Sequence, residues 1–501
     1  MSTDELGPAA PTPAIDIDGG AEHAGVRLDA RSVVVPDAVV AELEATGAQL
    51  SRDLQARSES SRDWWPLAMI WATEGRVPAR ADVLVRVHDT EQVSAVMALA
   101  DRHGIPVTVA AGRSGVCGGS VPVRGGIVLD LTPMTGIVEV DDDSLLVRVR
   151  PGTFGDHFEA ELGSRHQLTV GHWPQSMALS TVGGWVACRG AGQLSGRYGK
   201  IEDLVVGLEV VLADGRVIHT GGHPRAAAGP DLTQLFVGSE GTLGVVTEVL
   251  LRARPTPTHE ARGAWGFDSF EAGLDACRRM LRRGASPAVL RLYDVIESQR
   301  NFELDTNVLL VLDEGDSLMV DAVMAVVAEE TDGAESLDVD LVESWMGHRN
   351  NVDALESLIS GGLVVDTMEV AAPWGDLDAV FAEALAAIRA VDGTLQASAH
   401  QSHAYTDGAC LYFTFAGKTE PEGRESYYRA VWDAGTRAVL ANGGALSHHH
   451  GIGLNRGRFM AEALGTGFDV LVGVKDTLDP NGICNPGKLG LPDPFGASEW
   501  P

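Results

Sequence analysis

Cysteine is scarce and scattered in this 501-residue chain: the five thiols, at positions 117, 188, 277, 410 and 484, form no C-x-x-C pair. That excludes a disulfide scaffold and a thiolate zinc site, and it makes a reducing compartment, the cytoplasm, the expected location. Basic residues are few as well. Against 70 Asp and Glu stand 38 Lys and Arg, a net charge of −32, which argues against a nucleic-acid partner and against charge-driven binding to anionic membrane. No apolar run approaches the roughly 18 residues of a membrane span. The N-terminal MSTDELGPAAPTP lacks the apolar segment of a secretory signal, and the C-terminal SEWP is neither an anchor nor a peroxisomal address. Familiar motifs are missing too. There is no G-x-G-x-x-G and no G-x-S-x-G. GICNPGKL (482–489) fails as a phosphate loop, because Leu489 stands where a magnesium-binding hydroxyl is needed and Pro486 interrupts the cradle.

What is abundant is glycine, 59 residues, concentrated in blocks at 111–120, 171–199 and 238–244. Glycine lets backbone N–H groups approach a ligand closely, and a long anionic ligand with a pyrophosphate needs such donors. Around the first block, Val83–Val87 and Val107–Ala110 read as strands. Between them Thr90 is placed to cap a helix over Glu91–His103, making a βαβ unit. Shorter β-branched runs at Ile127–Leu131, Ile137–Val140 and Leu145–Arg150 continue it as α+β. The length suits about three domains. The texture divides it into an N-terminal helical extension (1–75, frayed at its start), a glycine-rich domain (76–256), a second α+β domain (257–440) and a Gly/His/Pro-rich C-terminal segment (441–501). In the second domain, Phe270–Arg283 and Leu377–Val391 read as helices, Val308–Leu312 and Ala409–Phe415 as strands.

The runs PVTVAAGRSGVCGGS, GHWPQSMALSTVGGWVACRGAG, YGKIEDLVVGLEVV and LFVGSEGTLGVVTEV resemble the FAD-binding domain of the vanillyl-alcohol-oxidase type of flavoproteins. Downstream, LRLYD (290–294), DTMEVAAPW (366–374), TDGACLYFTF (406–415), ANGGALSHHHGIG (441–453) and LDPNGICNPGKL (478–489) resemble the alkylglycerone-phosphate synthases. The resemblance spans about 76–490. It implies a two-part FAD-binding domain, an α+β cap domain over the substrate, and a C-terminal segment that returns to the flavin. By the same resemblance Ala111, Gly112, Arg113, Ser114, Gly115, Val116 and Cys117 wrap the FAD pyrophosphate. Pro174, Gln175, Ser176, Met177, Ala178, Leu179 and Ser180, with Ala187, Cys188, Arg189 and Gly190, and Gly238, Ser239, Glu240, Gly241, Thr242, Leu243 and Gly244, complete the cofactor pocket. Some relatives tether flavin through a histidine four residues after an arginine. Here that position is Cys117, so non-covalent FAD is expected.

The resemblance also places catalysis on Tyr412, His448, His449, His450 and Arg291. Alternation alone puts Phe413 and Phe415 on one strand face and Tyr412 on the other. A tyrosine acting as base needs neighbours that favour the phenolate, and the three histidines and Arg291 are the candidates. No metal is expected, because three consecutive histidines in extended or helical backbone do not point at one ion. The arginine that would clamp a substrate phosphate falls on Leu355, and Arg349 is the nearest replacement. Two activities stay open. One is the exchange of the acyl group of an acylated dihydroxyacetone phosphate for a fatty alcohol at the flavin, without net oxidation. The other is oxidation of a hydroxy acid or alcohol by an FAD-linked oxidoreductase, although Ala409 and Cys410 replace the asparagine region of metal-assisted dehydrogenases. A small-molecule or lipid-like substrate is expected, and a homodimer is allowed.

Overall fold

The structure, a computed structural model, describes residue 13 and residues 15–28, 31–351, 353–496 and 500. The glycine-rich half is built on two sheets. The first runs Gln49–Ser51, Val83–Arg86, Ile127–Asp130, Val107–Ala110, with the last three strands parallel. Most residues of those three are buried apolar side chains on both faces, Val83–Val85 and Ile127–Leu129 above all, as a covered parallel sheet requires. The crossover helix Thr90–His103 is capped by Asp89, whose carboxylate accepts the Gln92 N–H, and not by Thr90. Thr90 instead donates its hydroxyl to Glu209 at 2.6 Å, a tertiary bond that local capping preference does not register. Gly104 ends this helix in the left-handed region (φ 62°), where glycine carries no Cβ penalty. The second sheet is antiparallel: Val217–Gly221, Val205–Val211, Val245–Arg252, Leu146–Val149, Ile137–Asp141.

The other half is a seven-stranded antiparallel sheet, in the order Glu335–Ser336, His259–Phe267, Asn307–Gly315, Val289–Tyr293, Thr394–Ala404, Gly408–Gly417, Val364–Pro373. Helices Phe270–Arg282, Ser317–Glu330, Leu377–Arg389 and Arg424–Ala441 cover one face. Phe413 and Phe415 point into that core, fully buried.

The fraying expected at the start of the chain falls on residues 1–12, outside the described residues, and the remainder of the N-terminal stretch is less purely helical than its composition suggests. Ile15, Ile17 and Leu28 are buried, and Gln49–Ser51 adds an antiparallel edge strand to the first sheet. A three-residue strand is too short for alternation to reveal. The tryptophans act as a clasp. Trp65 packs edge-on against Trp71 at 5.4 Å and donates its indole N–H to Tyr428, whose hydroxyl donates to the buried Asp366 at 2.5 Å. The C-terminal stretch also returns: Asn485 donates its N–H to Val107, and the buried Lys488 ammonium donates to the Val121 carbonyl. No helix among the described residues is long and apolar enough to cross a membrane.

Candidate active site

Four glycine-rich segments knit together at the open face of the seven-stranded sheet. After strand Val107–Ala110 the chain passes through residues 111–119 without regular structure. Among the described residues, no backbone N–H from Gly112 to Gly119 donates to a protein acceptor. Such a row of open donors suits the oxygens of a pyrophosphate. Gly112 lies so near the 174–180 loop that a Cβ would come within 2.3 Å of the Leu179 carbonyl oxygen. Arg113 takes a left-handed backbone (φ 53°), and its guanidinium is buried with Nε and Nη1 unpartnered. Its nearest carboxylate, on Asp130, is 3.9 Å away. These features fit a bound dinucleotide.

The other blocks act mainly through their backbones. Glu240 donates its N–H to Ala187, and its carboxylate accepts the N–H groups of Ile452 and Gly453 at 2.6 and 2.8 Å. Asn485 donates to both the Glu240 and Gly119 carbonyls, joining the first and third blocks. Ser239 and Thr242 use their hydroxyls to close their own turn, and Leu243 and Met177 are buried in the core of the antiparallel sheet. The Arg189 side chain lies against Gly238 and pairs with Glu202 at 3.3 Å. Gln175 donates to the Asn351 carbonyl, and Gln193 to that of Arg349, tying this wall to the 340–351 segment.

Cys117 is buried with Sγ 3.6 Å from the Gly451 carbonyl oxygen, and burial pushes its thiol well above the ordinary range. A protonated thiol is a poor nucleophile toward flavin. Acid precipitation should therefore release the cofactor into the supernatant, in wild type and in Cys117→Ser alike. Yellow colour that stays in the wild-type pellet and leaves the Cys117→Ser pellet would contradict this.

The open face of the seven-stranded sheet carries a polar row. Glu369, Tyr412 and His400 lie directly opposite one another on three adjacent strands, and Tyr293 opposes His400 on a fourth. Residues opposite or two apart share a face, so Arg291 belongs to the same row. Its Nη2 meets His400 Nε2 at 2.6 Å, while His400 Nδ1 meets the buried Glu297 at 2.9 Å. Since a guanidinium only donates, His400 is the neutral tautomer with its proton on Nδ1. Burial, reinforced by Arg291, brings its pKa down to about 4. Tyr412 stacks on His400 with ring centres 4.9 Å apart, and lies 6.0 and 5.5 Å from the rings of His449 and His450.

Burial does not favour the phenolate expected at Tyr412. Burial raises its pKa above the ordinary phenol value, outweighing a hydrogen bond with Thr367 and the charge of Arg291. Burial disfavours the cationic form of the three histidines as well. Burial, with neighbouring imidazoles, holds His448 and His449 well below the usual range and brings His450 down to about 4. Burial favours a neutral phenol among neutral imidazoles, and the cations beside them are Arg291, Arg456 at 2.7 Å from Glu369, and Lys200, whose ammonium donates to the His448 carbonyl.

Three further residues escape a sequence reading. A β-bulge between Gln401 and His403 slips the strand by one residue, so that His403 pairs with Cys410 and turns to the Tyr412 face. His172 is buried with both ring nitrogens unpartnered, and burial brings its pKa down to about 3. Trp345 stands between two guanidiniums, Arg291 at 5.5 Å and Arg349 at 5.9 Å from its ring. Leu355, by contrast, packs against the apolar core.

The fold is that of the vanillyl-alcohol-oxidase type of flavoproteins. The sequence matches the model of the FAD binding domain over residues 81–221 and that of the FAD linked oxidases, C-terminal domain, over residues 256–489. It is 30% identical over 430 residues to an uncharacterized FAD-linked oxidoreductase of Escherichia coli (strain K12), covering 81% of this chain and 88% of that protein. It is 29% identical over 499 residues to the alkyldihydroxyacetonephosphate synthase of Trypanosoma brucei brucei, covering 90% and 80%. A solved alkyldihydroxyacetonephosphate synthase superposes with a TM-score of 0.77 at 24% identity, covering 97% of this chain and 91% of that one. p-Cresol methylhydroxylase superposes with a TM-score of 0.75 at 16% identity, covering 93% and 100%. The chain belongs to the FAD-linked oxidase family, and its cofactor is FAD.

Proposed function

We propose that this flavoenzyme takes an anionic substrate, an acylated dihydroxyacetone phosphate, and replaces its acyloxy group, released as the carboxylate, by an alcohol, which yields the alkyldihydroxyacetone phosphate that its synthase relatives are named for. The observation that supports the anionic substrate is the pair Arg291 and Arg349. Both flank Trp345, and among the described residues neither guanidinium lies within ion-pair distance of a carboxylate. Half-buried guanidiniums with no carboxylate partner are suited to recognition of phosphate or carboxylate. Bound FAD supplies the electron-accepting chemistry. The chain's own residues do the rest. Glu297 orients His400, and His400 holds Arg291 toward the anion. Tyr412 donates its phenolic proton to a substrate oxygen, and the neutral imidazoles beside it accept a proton from carbon or from an incoming hydroxyl.

Leu355 favours a second reading, oxidation of a hydroxy acid or alcohol, because the position expected to clamp phosphate is a leucine packed against the apolar core. One experiment separates the two. Under the first reading, the oxygen-free enzyme mixed with acylated dihydroxyacetone phosphate and a fatty alcohol yields the ether while the flavin stays oxidised. Arg349→Ala then weakens substrate binding by about ten- to a hundredfold, the loss of one or two charge-assisted hydrogen bonds. Stoichiometric anaerobic bleaching by a simple hydroxy acid, with no ether formed, establishes the second reading instead.

A further inference from the structure

The three histidines lie on irregular backbone, and two buried carboxylates from different parts of the chain grip it. Glu369, on strand Val364–Pro373, accepts the Ser447 hydroxyl at 2.6 Å and the His449 N–H at 3.0 Å, and the His450 N–H as well. Glu240, in the third glycine block, accepts the next two, from Ile452 and Gly453. Glu369 also stands directly opposite Tyr412 on the neighbouring strand. One carboxylate therefore fixes the histidine loop relative to the strand that bears the phenol.

Such an anchor endangers the groups it holds. Glu369 Oε1 is 3.9 Å from His450 Nδ1. With little water to screen it, an unbalanced carboxylate there would draw a proton onto the ring and end its use as an acceptor. Arg456 supplies the balance. It is buried, with Nη1 2.7 Å from Glu369 Oε2 and donating to the Leu446 carbonyl at 2.7 Å. Its guanidinium lies over the Trp432 ring, 4.9 Å from the centre, and that indole donates to Asp366. The other titratable rings facing His450 are Tyr412 and His449, at 5.5 and 4.5 Å between centres, and burial favours both as neutral. Beyond them lie the Cys117 thiol, at the Gly451 carbonyl, and Glu240, at the Ile452 N–H. Burial works against the charge of Glu369, yet Arg456, with His450 and Ser447, holds its carboxyl below the usual range. Burial, helped by Arg456, keeps His450 down at about 4 against the pull of Glu369.

We propose that Glu369 and Arg456 act as a positioning pair: Glu369 holds the histidine loop against Tyr412, and Arg456 neutralises Glu369 so that the imidazoles of the loop remain proton acceptors. Both act through the loop and not on the substrate. The inference rests on the assignment of proton acceptance to these imidazoles. It serves the exchange and the oxidation equally, since in each a hydroxyl O–H breaks and its proton passes to a ring nitrogen.

The test compares holoenzyme variants with wild type for FAD content, kcat, KM and pH profile, in whichever assay wild type supports, ether formation or flavin bleaching. Glu369→Gln keeps an acceptor oxygen but not the charge. It should hold FAD and keep KM within about twofold while kcat falls about 100-fold, the scale of a displaced catalytic group. Arg456→Gln should lose kcat likewise and gain a limb absent from wild type and from Glu369→Gln. With Glu369 unbalanced the His450 pKa rises, so kcat/KM falls as the pH drops through about 6.5, the ordinary imidazole value. Arg456→Lys, which restores the charge, should restore the level profile. In holoenzyme labelled with ¹⁵N-histidine, a ring resonance missing from His450→Gln should titrate between about pH 5 and 7 in Arg456→Gln and not in wild type. Wild-type kcat in Glu369→Gln overturns the proposal, as does a folded, FAD-loaded Arg456→Gln with a level profile and no titrating ring. Where Arg456→Gln does not fold, kcat in Glu369→Gln decides. A wild type that turns over neither substrate counts against the function proposed above, and the ring titration, which needs no turnover, then decides this one.

Discussion

Gly112→Ala should yield a pale protein with FAD affinity lowered by about 100-fold. The new Cβ would lie 2.3 Å from the Leu179 carbonyl oxygen. Because that atom is backbone, no side-chain rotation relieves the clash, and the 111–119 and 174–180 loops must separate. Forcing a group into such a contact costs about 1–3 kcal/mol, which is roughly ten- to a hundredfold in a dissociation constant. The separation also spreads the open N–H donors that suit a pyrophosphate. Gly163→Ala serves as the control, since its Cβ finds its nearest neighbour at 3.8 Å within helix Gly155–His166. FAD content equal to wild type in Gly112→Ala would remove these loops from the cofactor site.

Tyr412→Phe should keep its fold and its FAD yet lose about 10²-fold or more in turnover, the usual scale of a missing proton-transfer group. The ring still stacks on His400, and the lost hydroxyl forgoes a hydrogen bond with Thr367. Loss of flavin or solubility would show instead that Tyr412 matters for packing. The pH profile carries a second check. Burial brings His450 down to about 4 and holds His448 and His449 well below the ordinary range. A base with a depressed pKa is lost only as the pH falls through that depressed value. Wild-type kcat/KM should therefore stay level from pH 7.5 to about 5, with no limb near the pKa of about 6.5 of an exposed imidazole. A limb there would mean that the histidines are solvated in the working enzyme.

Much of the cofactor half was legible along the chain. Its signals are local: buried β-branched strands, a capped crossover helix, and glycine at the positions where backbone meets backbone. Even there, Asp89 rather than Thr90 caps the helix, because the Thr90 hydroxyl is drawn to Glu209. The catalytic face was legible only in part. Alternation separated Tyr412 from Phe413 and Phe415, but it could say nothing of protonation, since burial is set by what packs above the sheet. His403 was hidden for a different reason: a bulge of one residue changes the face of a strand without any change in composition.

By itself, then, the sequence determined the flavoprotein class, the glycine loops and the tyrosine, histidine and arginine residues on which chemistry is proposed, because these depend on residue type at short spacing. The tertiary structure alone decided the charge states of those groups. It also decided the pairing of His400 with Arg291 and Glu297, the placing of Arg291 beside Trp345, and the meeting of His403 with His448 and His449. Each of these depends on contacts between segments tens to hundreds of residues apart, and on the desolvation that such contacts bring.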